Sequence, residues 1–364
     1  MVNQPAVGPA NRLWTIDAAR GLASSWVLLF HSLSAIPSDT LYPILGLVQR
    51  FAQYGWLGVH MFFAISGWCI AQRLAGGWRR REPVQVFLRE RALRIYPTYW
   101  AALGLALALR LAAVPFNTTR FAANLPSGPR GWMADLFLLN PYLKTPATLI
   151  VSWSLVYELG FYLLAAGALI LRRRVPAGTL ALIGLLVCLW PLAGWQSRLT
   201  YVLGLWPDFF VGVLVWWAAR SPTPRSKYFA ATGLALLTLL ALGRPGGYGG
   251  QGLLTAIATA VALWALSGQD GRVGANPFLR KLAWVGGFSY SLYLIHLPLL
   301  SPFMNLAQRW VSPRHALFCL VWLAAVLLAF TGGWLLNRLV EAPVERWRKQ
   351  ARNPIPVQSP NATA

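Results

Sequence analysis

Apolar runs of membrane-spanning length dominate the chain, separated by short polar segments in which Lys, Arg, Gly and Pro concentrate. A hydrocarbon core of about 30 Å needs roughly 17–25 residues of helix. That rule predicts ten helices, at 14–36, 56–75, 95–114, 150–171, 178–195, 201–219, 228–243, 252–268, 284–304 and 316–338. The stretch from Trp132 to Asn140 is apolar but too brief to span, so it is expected to be an interfacial or re-entrant piece of the long 115–149 connection. No internal repeat breaks the series. The pattern therefore predicts one all-α polytopic membrane bundle over 1–350, followed by a polar, proline-bearing tail over 351–364 that is expected to be disordered.

Composition agrees with the pattern. Of the 364 residues 57% are apolar and 12% charged, with a mean hydropathy of +0.50. Soluble domains carry about 25% charge, and disordered chains are far less apolar. Nineteen Trp, 32 Gly and 25 Pro suit interfacial aromatic belts and kinked helices. The net charge of +22 would point to nucleic acid in a soluble protein. Here the basic residues alternate with the spans, which is what retention of cations on one side of a membrane produces, and no nucleic-acid partner is expected. With the N-terminus, the even-to-odd connections and the C-terminus on one side, 23 of the 32 Lys and Arg residues fall there and eight on the other. Both termini are thus expected in the cytoplasm. Arg20 interrupts the approach to the first run and no cleavage motif follows, so the first span reads as a retained anchor. Cys69, Cys188 and Cys319 are odd in number, sit in apolar runs and form no C-x-x-C pair, so neither a disulfide framework nor a metal site is expected.

Polar residues inside spans are costly and mark candidate chemistry. At 1.5 Å per residue, His31 lies about 16 Å beyond Arg20, and eleven residues make about three turns, so the two share a helix face. Glu158 falls about 18 Å from the inner boundary, His296 about 18 Å deep and Ser66 about 15 Å. Two imidazoles and a carboxylate at one level suit removal and return of a hydroxyl proton, with the carboxylate orienting or balancing the base. A proton relay in a transporter would use the same residue types, and His31 alone could be an interhelical hydrogen bond. His296 precedes Leu297-Pro298 and could serve only to stabilise a kinked helix. Asp208, after Pro207, could contact an acceptor or cap a broken helix. The segment 73–94 carries seven Arg against Glu82 and Glu90. It reads either as topogenic charge or as a phosphate clamp, in which Arg91 and Arg94, at i and i+3, face one ligand such as coenzyme A.

Six short blocks carry a family resemblance. They are Ile16-Asp17-Ala18-Ala19-Arg20-Gly21-Leu22-Ala23 continuing to Phe30-His31, then Gly58 to Gly67 with His60 and Ser66, and Arg91-Ala92-Leu93-Arg94-Ile95-Tyr96-Pro97-Thr98-Tyr99-Trp100. Trp153-Ser154-Leu155-Val156-Tyr157-Glu158, Ser289 to His296 with Tyr293, and Glu341-Ala342-Pro343 complete them. In this order, from residue 16 to 343, they resemble the acyltransferase family three membrane proteins. The resemblance implies an acyl-coenzyme-A-dependent O-acyltransferase of the bacterial inner membrane. Its acceptor would be a carbohydrate, such as a surface polysaccharide or lipid-linked glycan, and polysaccharide-assembly proteins would be partners. Acyl-coenzyme A, acetyl first, would be a co-substrate, with no tightly bound cofactor. The resemblance implies a catalytic group of His31, Glu158 and Arg20 and a donor-binding group of Arg91, Arg94 and Ser66. Asp17, His60, Trp153, Ser154, Asp208, Tyr293 and His296 would support them. Some relatives carry a fused extracytoplasmic hydrolase-like domain, and none is expected here. Two rival readings stay open at this point: a transporter or flippase for a glycan or lipid carrier, and a polysaccharide polymerase or ligase.

Overall fold

The computed structural model describes residues 13–34, 36–113, 125–192, 200–221, 223–244 and 247–352. Among these every regular element is helical. The reason is physical: in hydrocarbon each backbone N–H and C=O must be satisfied within its own segment. The helices of eight residues or more are α1 (Trp14–Leu33), α2 (Pro43–Ala52), α3 (Gly58–Arg79), α4 (Val84–Ala113), α5 (Gly128–Phe137), α6 (Trp153–Leu171) and α7 (Ala177–Val187). They continue with α8 (Trp206–Arg220), α9 (Pro224–Leu242), α10 (Gly247–Leu266), α11 (Pro277–Gly286), α12 (Ser289–Ala307), α13 (Phe318–Leu336) and α14 (Ala342–Arg352).

Among the described residues six helical segments are long and apolar enough to cross a membrane, or seven if α11 and α12 count as one span. The expected ten are not all reached, for local reasons. The fifth expected span breaks into α7, of 11 residues, and a separate turn at Leu189–Leu192. The ninth is bent by 72° between α11 and α12, at Gly287–Phe288. In α1, Asp17, Arg20 and His31 dilute the apolar content of a helix that is otherwise of spanning length. The third expected span begins eleven residues early: α4 starts at Val84, so Arg89, Arg91 and Arg94 lie inside a helix. The Trp132–Asn140 stretch falls partly in α5, Gly128–Phe137, which at 10 residues is too short to span. Most of the expected C-terminal tail, from residue 353, lies outside the described residues.

Two close crossings set the frame. A Cβ on Gly21 would stand 1.8 Å from the Leu282 carbonyl oxygen, and one on Gly286 1.8 Å from that of Asp17, so α1 and α11 touch backbone to backbone. Gly67 and Gly212 do the same for α3 and α8, at 1.9 and 2.0 Å from the Phe209 and Ala64 oxygens. Small residues permit such approach where lipid offers no hydrophobic drive to association. Buried polar joints add direction. His60 on α3, fully buried, hydrogen-bonds Asp208 on α8 through Nδ1 and Oδ2 at 2.8 Å. Asp135 on α5 accepts from Asn140 Nδ2 at 2.8 Å and from the Thr148 hydroxyl at 2.5 Å, and its carbonyl accepts from Tyr99 of α4. That knot ties the segment from Asp135 to Thr148 to the bundle.

Candidate active site

A cavity of about 880 Å³ opens between α1, α3, α4, α6, the α11–α12 bend and α14. The bend places Gly286 and Gly287 in its wall, and the Ser289 hydroxyl donates to the Gly286 carbonyl at 2.9 Å, satisfying a group that the break in the helix exposes. Along α6 the wall is Ser154, Leu155, Glu158 and Tyr162; along α3 it includes Val59, Ser66 and Cys69. Arg20 and Asp17 face it from α1, and Arg91 and Arg94 from α4.

The carboxylate of Glu158 is held by hydroxyls. Ser66 donates to its Oε1 at 3.3 Å, and Tyr162, one turn along α6, donates to the same oxygen. Among the described residues Glu158 forms no ion pair, and neither does Arg20. Arg94, by contrast, is committed: its Nη1 donates to Glu341 Oε1 at 2.5 Å, and Glu341 is itself held by Ser291 and Asn337. Arg91 lies over the rings of Phe87 and Tyr162, both 5.7 Å away, with Glu90 no nearer than 4.0 Å. The acids of the basic segment are spent elsewhere, since Arg73 takes Glu82 at 2.7 Å and Glu90 at 2.8 Å. Of the seven Arg in 73–94, only Arg91 and Arg94 reach the cavity wall.

His31 and His296 are brought together, away from that wall. His296 Nε2 lies 3.3 Å from His31 Nδ1, though 265 residues separate them. Carbonyl oxygens only accept, so the contacts assign the protons. His296 Nδ1 donates to the Tyr293 carbonyl at 2.7 Å, which leaves its Nε2 as an acceptor. The His31 Nδ1–H is then shared between that nitrogen and the Val27 carbonyl at 3.0 Å. The lone pair of His31 consequently sits on Nε2, the arrangement a general base requires.

The equal depth expected for His31, Glu158, Ser66 and His296 thus resolves into two groups. Glu158 pairs with Ser66 and Tyr162, and His31 with His296. α1 ends at Leu33, so His31 is in its last turn, and α12 starts at Ser289, so His296 is only seven residues in. Tyr293 stands between the groups: it lines the cavity, its hydroxyl bonds Ser154 Oγ at 2.8 Å and donates to the Val151 carbonyl at 3.1 Å, and its ring lies 5.8 Å from that of His296. Trp153 packs on Tyr157, and His60 with Asp208 forms the buried α3–α8 joint; none of these four lines the cavity. Tyr162, Tyr290 and the α14 residues Glu345, Arg348 and Lys349 do line it. Sequence reasoning missed all five, although Tyr162 stands at i+4 from Glu158 and that spacing was readable. Among the described residues no group of three His, Cys, Asp or Glu side chains could hold a metal ion.

The sequence profile of the acyltransferase domain family matches residues 13–338, nearly the whole bundle and every wall of this cavity but α14. The chain belongs to that family. It is 30% identical over 265 residues to the exopolysaccharide production protein ExoZ of Rhizobium meliloti (strain 1021), covering 66% of this chain and 75% of that protein. A protein of Komagataeibacter xylinus that carries the name of a membrane-bound transacylase, BcsY, is 27% identical over 311 residues, 80% of this chain and 73% of its own length. The peptidoglycan O-acetyltransferase OatA of Listeria monocytogenes matches at 22% identity over 91% of this chain and 56% of its own. No solved structure matches the chain.

Proposed function

We propose that the protein transfers an acyl group, acetyl in the first place, from acyl-coenzyme A to a hydroxyl of a carbohydrate acceptor, a surface polysaccharide or lipid-linked glycan, with His31 as general base. The reading sets it in a bacterial inner membrane, the arginine-bearing end of the cavity toward the cytoplasm, where the donor is made. The observation that carries it is the hydrogen-bond chain from the Tyr293 carbonyl through His296 to His31, which leaves His31 Nε2 with a lone pair at the far end of α1 from Arg20. Family membership and the names of the relatives support the acyl and polysaccharide parts.

In this reading His31 Nε2 takes the acceptor hydroxyl proton as the oxygen attacks the thioester carbonyl carbon. The tetrahedral oxyanion collapses, the C–S bond breaks, and the proton passes from the imidazolium to the departing thiolate. The imidazolium is carried by His296 Nε2 and the Val27 carbonyl rather than by Glu158. Glu158 instead holds the Ser66 and Tyr162 hydroxyls along the donor path. Arg20, about 16 Å from His31 along α1, and Arg91 meet the donor phosphates. Arg94, already paired with Glu341, adds field more than direct hydrogen bonds.

The test is coenzyme A release by the purified chain in nanodiscs, supplied with acetyl-coenzyme A and bacterial glycan extract. Release that requires both the extract and His31 supports the reading, and mass spectrometry of the extract then identifies the acceptor. Equal release by wild type and His31→Ala removes His31 as base. No release with any acyl donor, from folded protein, removes acyl-coenzyme A as donor.

A further inference from the structure

The mouth of the cavity is built partly by a helix beyond the matched family region, which ends at residue 338. Glu345, Arg348 and Lys349 of α14 line the cavity. The Glu345 carboxylate gathers three cations around itself: Lys349 Nζ at 3.3 Å, Arg348 Nη2 at 3.5 Å and Arg94 Nη1 at 3.8 Å. Every one of these distances exceeds the about 2.7–2.9 Å of a good charge-assisted hydrogen bond. Two of the cations are held independently of it, Arg94 by Glu341 and Arg348 by donation to the Glu90 carbonyl at 3.2 Å. The Lys349 side chain is 72% exposed and that of Glu345 36%, so the cluster faces water at the mouth. A single loosely bound carboxylate among three cations, two of them held in place by other partners, forms at the rim of a cavity a site at which a stronger anion displaces the carboxylate.

We propose that Arg348 and Lys349 form the outer phosphate-binding rim for the nucleotide end of the donor, taking phosphate oxygens in exchange for Glu345. The inference rests on acyl-coenzyme A being the donor. If the thioester travels inward toward the histidines, the nucleotide with its 3′-phosphate stays at the mouth. A phosphomonoester brings about −1.5 to −2 charge and three acceptor oxygens against the single charge of Glu345, so the exchange favours the donor. Glu345 keeps the two side chains gathered when no donor is bound, and α14 thereby adds a recognition element to the two arginines of α4.

Equilibrium binding of coenzyme A, and of coenzyme A lacking the 3′-phosphate, to the full chain in nanodiscs tests this without an acceptor. Lys349→Ala is expected to weaken coenzyme A binding about 3–10-fold while leaving the dephospho form unchanged, and Lys349→Arg to restore it. Glu345→Gln is expected to tighten coenzyme A binding about 3-fold, since one competing charge is removed. Those opposite signs are what a merely structural α14 would not give. Wild-type binding with both Lys349→Ala and Glu345→Gln unchanged, or both weakened alike, overturns the rim and leaves the donor reading intact. A wild-type chain that binds neither ligand overturns the donor reading, and the rim with it.

Discussion

Replacing His296 would separate the proposed base, His31, from the residue that orients it. In His296→Leu the buried position keeps an apolar side chain of similar bulk, but His31 Nδ1–H loses one of its two acceptors. The Val27 carbonyl at 3.0 Å still selects the same tautomer, so ground-state geometry survives. The loss falls on the transition state, where the proposed mechanism makes His31 an imidazolium. A hydrogen bond to a charged group contributes about 1.5–3 kcal/mol. At 1.36 kcal/mol per decade this lowers kcat by about 10–150-fold. His31→Ala, which removes the base itself, is expected to cost about 10²–10⁴-fold. The donor KM should not move in either variant, because neither histidine lines the cavity. His296→Gln carries an amide oxygen to about the position of the lost Nε2 and should recover most of the rate. The assay is coenzyme A release at saturating acetyl-coenzyme A with excess glycan extract, normalised to folded protein. A His296→Leu enzyme with wild-type kcat would refute the orienting role, as would a Gln variant no better than Leu.

Three further outcomes follow from the same geometry. Arg91→Ala should raise the donor KM about tenfold with little change at saturation, read from initial rates across acetyl-coenzyme A concentrations; an unchanged KM removes Arg91 from donor binding. Asp208→Leu leaves His60 buried without its α3–α8 partner and should destabilise the protein by about 1–3 kcal/mol, seen as a lower melting temperature in detergent, with donor KM unaffected; a lowered kcat in still-folded protein would instead assign the pair to the chemistry. Gly21→Leu drives a side chain into the Leu282 carbonyl and should abolish folded yield, whereas Gly46→Leu, where a Cβ meets nothing within 4 Å, should be tolerated; equal yields from the two would refute the α1–α11 crossing.

Much of the candidate site was legible because polar groups in apolar runs stand out by their cost. Arg20, His31, Ser66 and Glu158 announce themselves that way, Arg91 and Arg94 stand out by their i, i+3 spacing in a basic segment, and all but His31 lie on the cavity wall. What depth along the chain could not supply was lateral position. Residues at equal depth on different helices can face the same space or opposite ones, and Glu158 took Ser66 and Tyr162 rather than His31. Asp135 went unremarked in a stretch read only for length, yet its carboxylate organises the connection before α6. The basic run 73–94 looked like one patch, but Arg73 pairs with both of its acids and only two of its arginines reach the site.

By itself the sequence determined that this is a helical, many-segment membrane chain and which family it resembles, because the pairing of backbone polar groups within a segment and short motif blocks are local properties. The partners were decided in three dimensions. His31 meets His296 across 265 residues, His60 meets Asp208 across 148, and Arg94 meets Glu341 across 247. Each pairing depends on where helices cross, and at α1–α11 and α3–α8 the crossing depends on glycines whose missing side chains let two backbones touch. A helix bends by 72° at Gly287–Phe288 and thereby turns an expected single span into one wall of a cavity. Hydrophobic pattern fixes which residues are out of place in lipid; only the packing fixes what each of them faces.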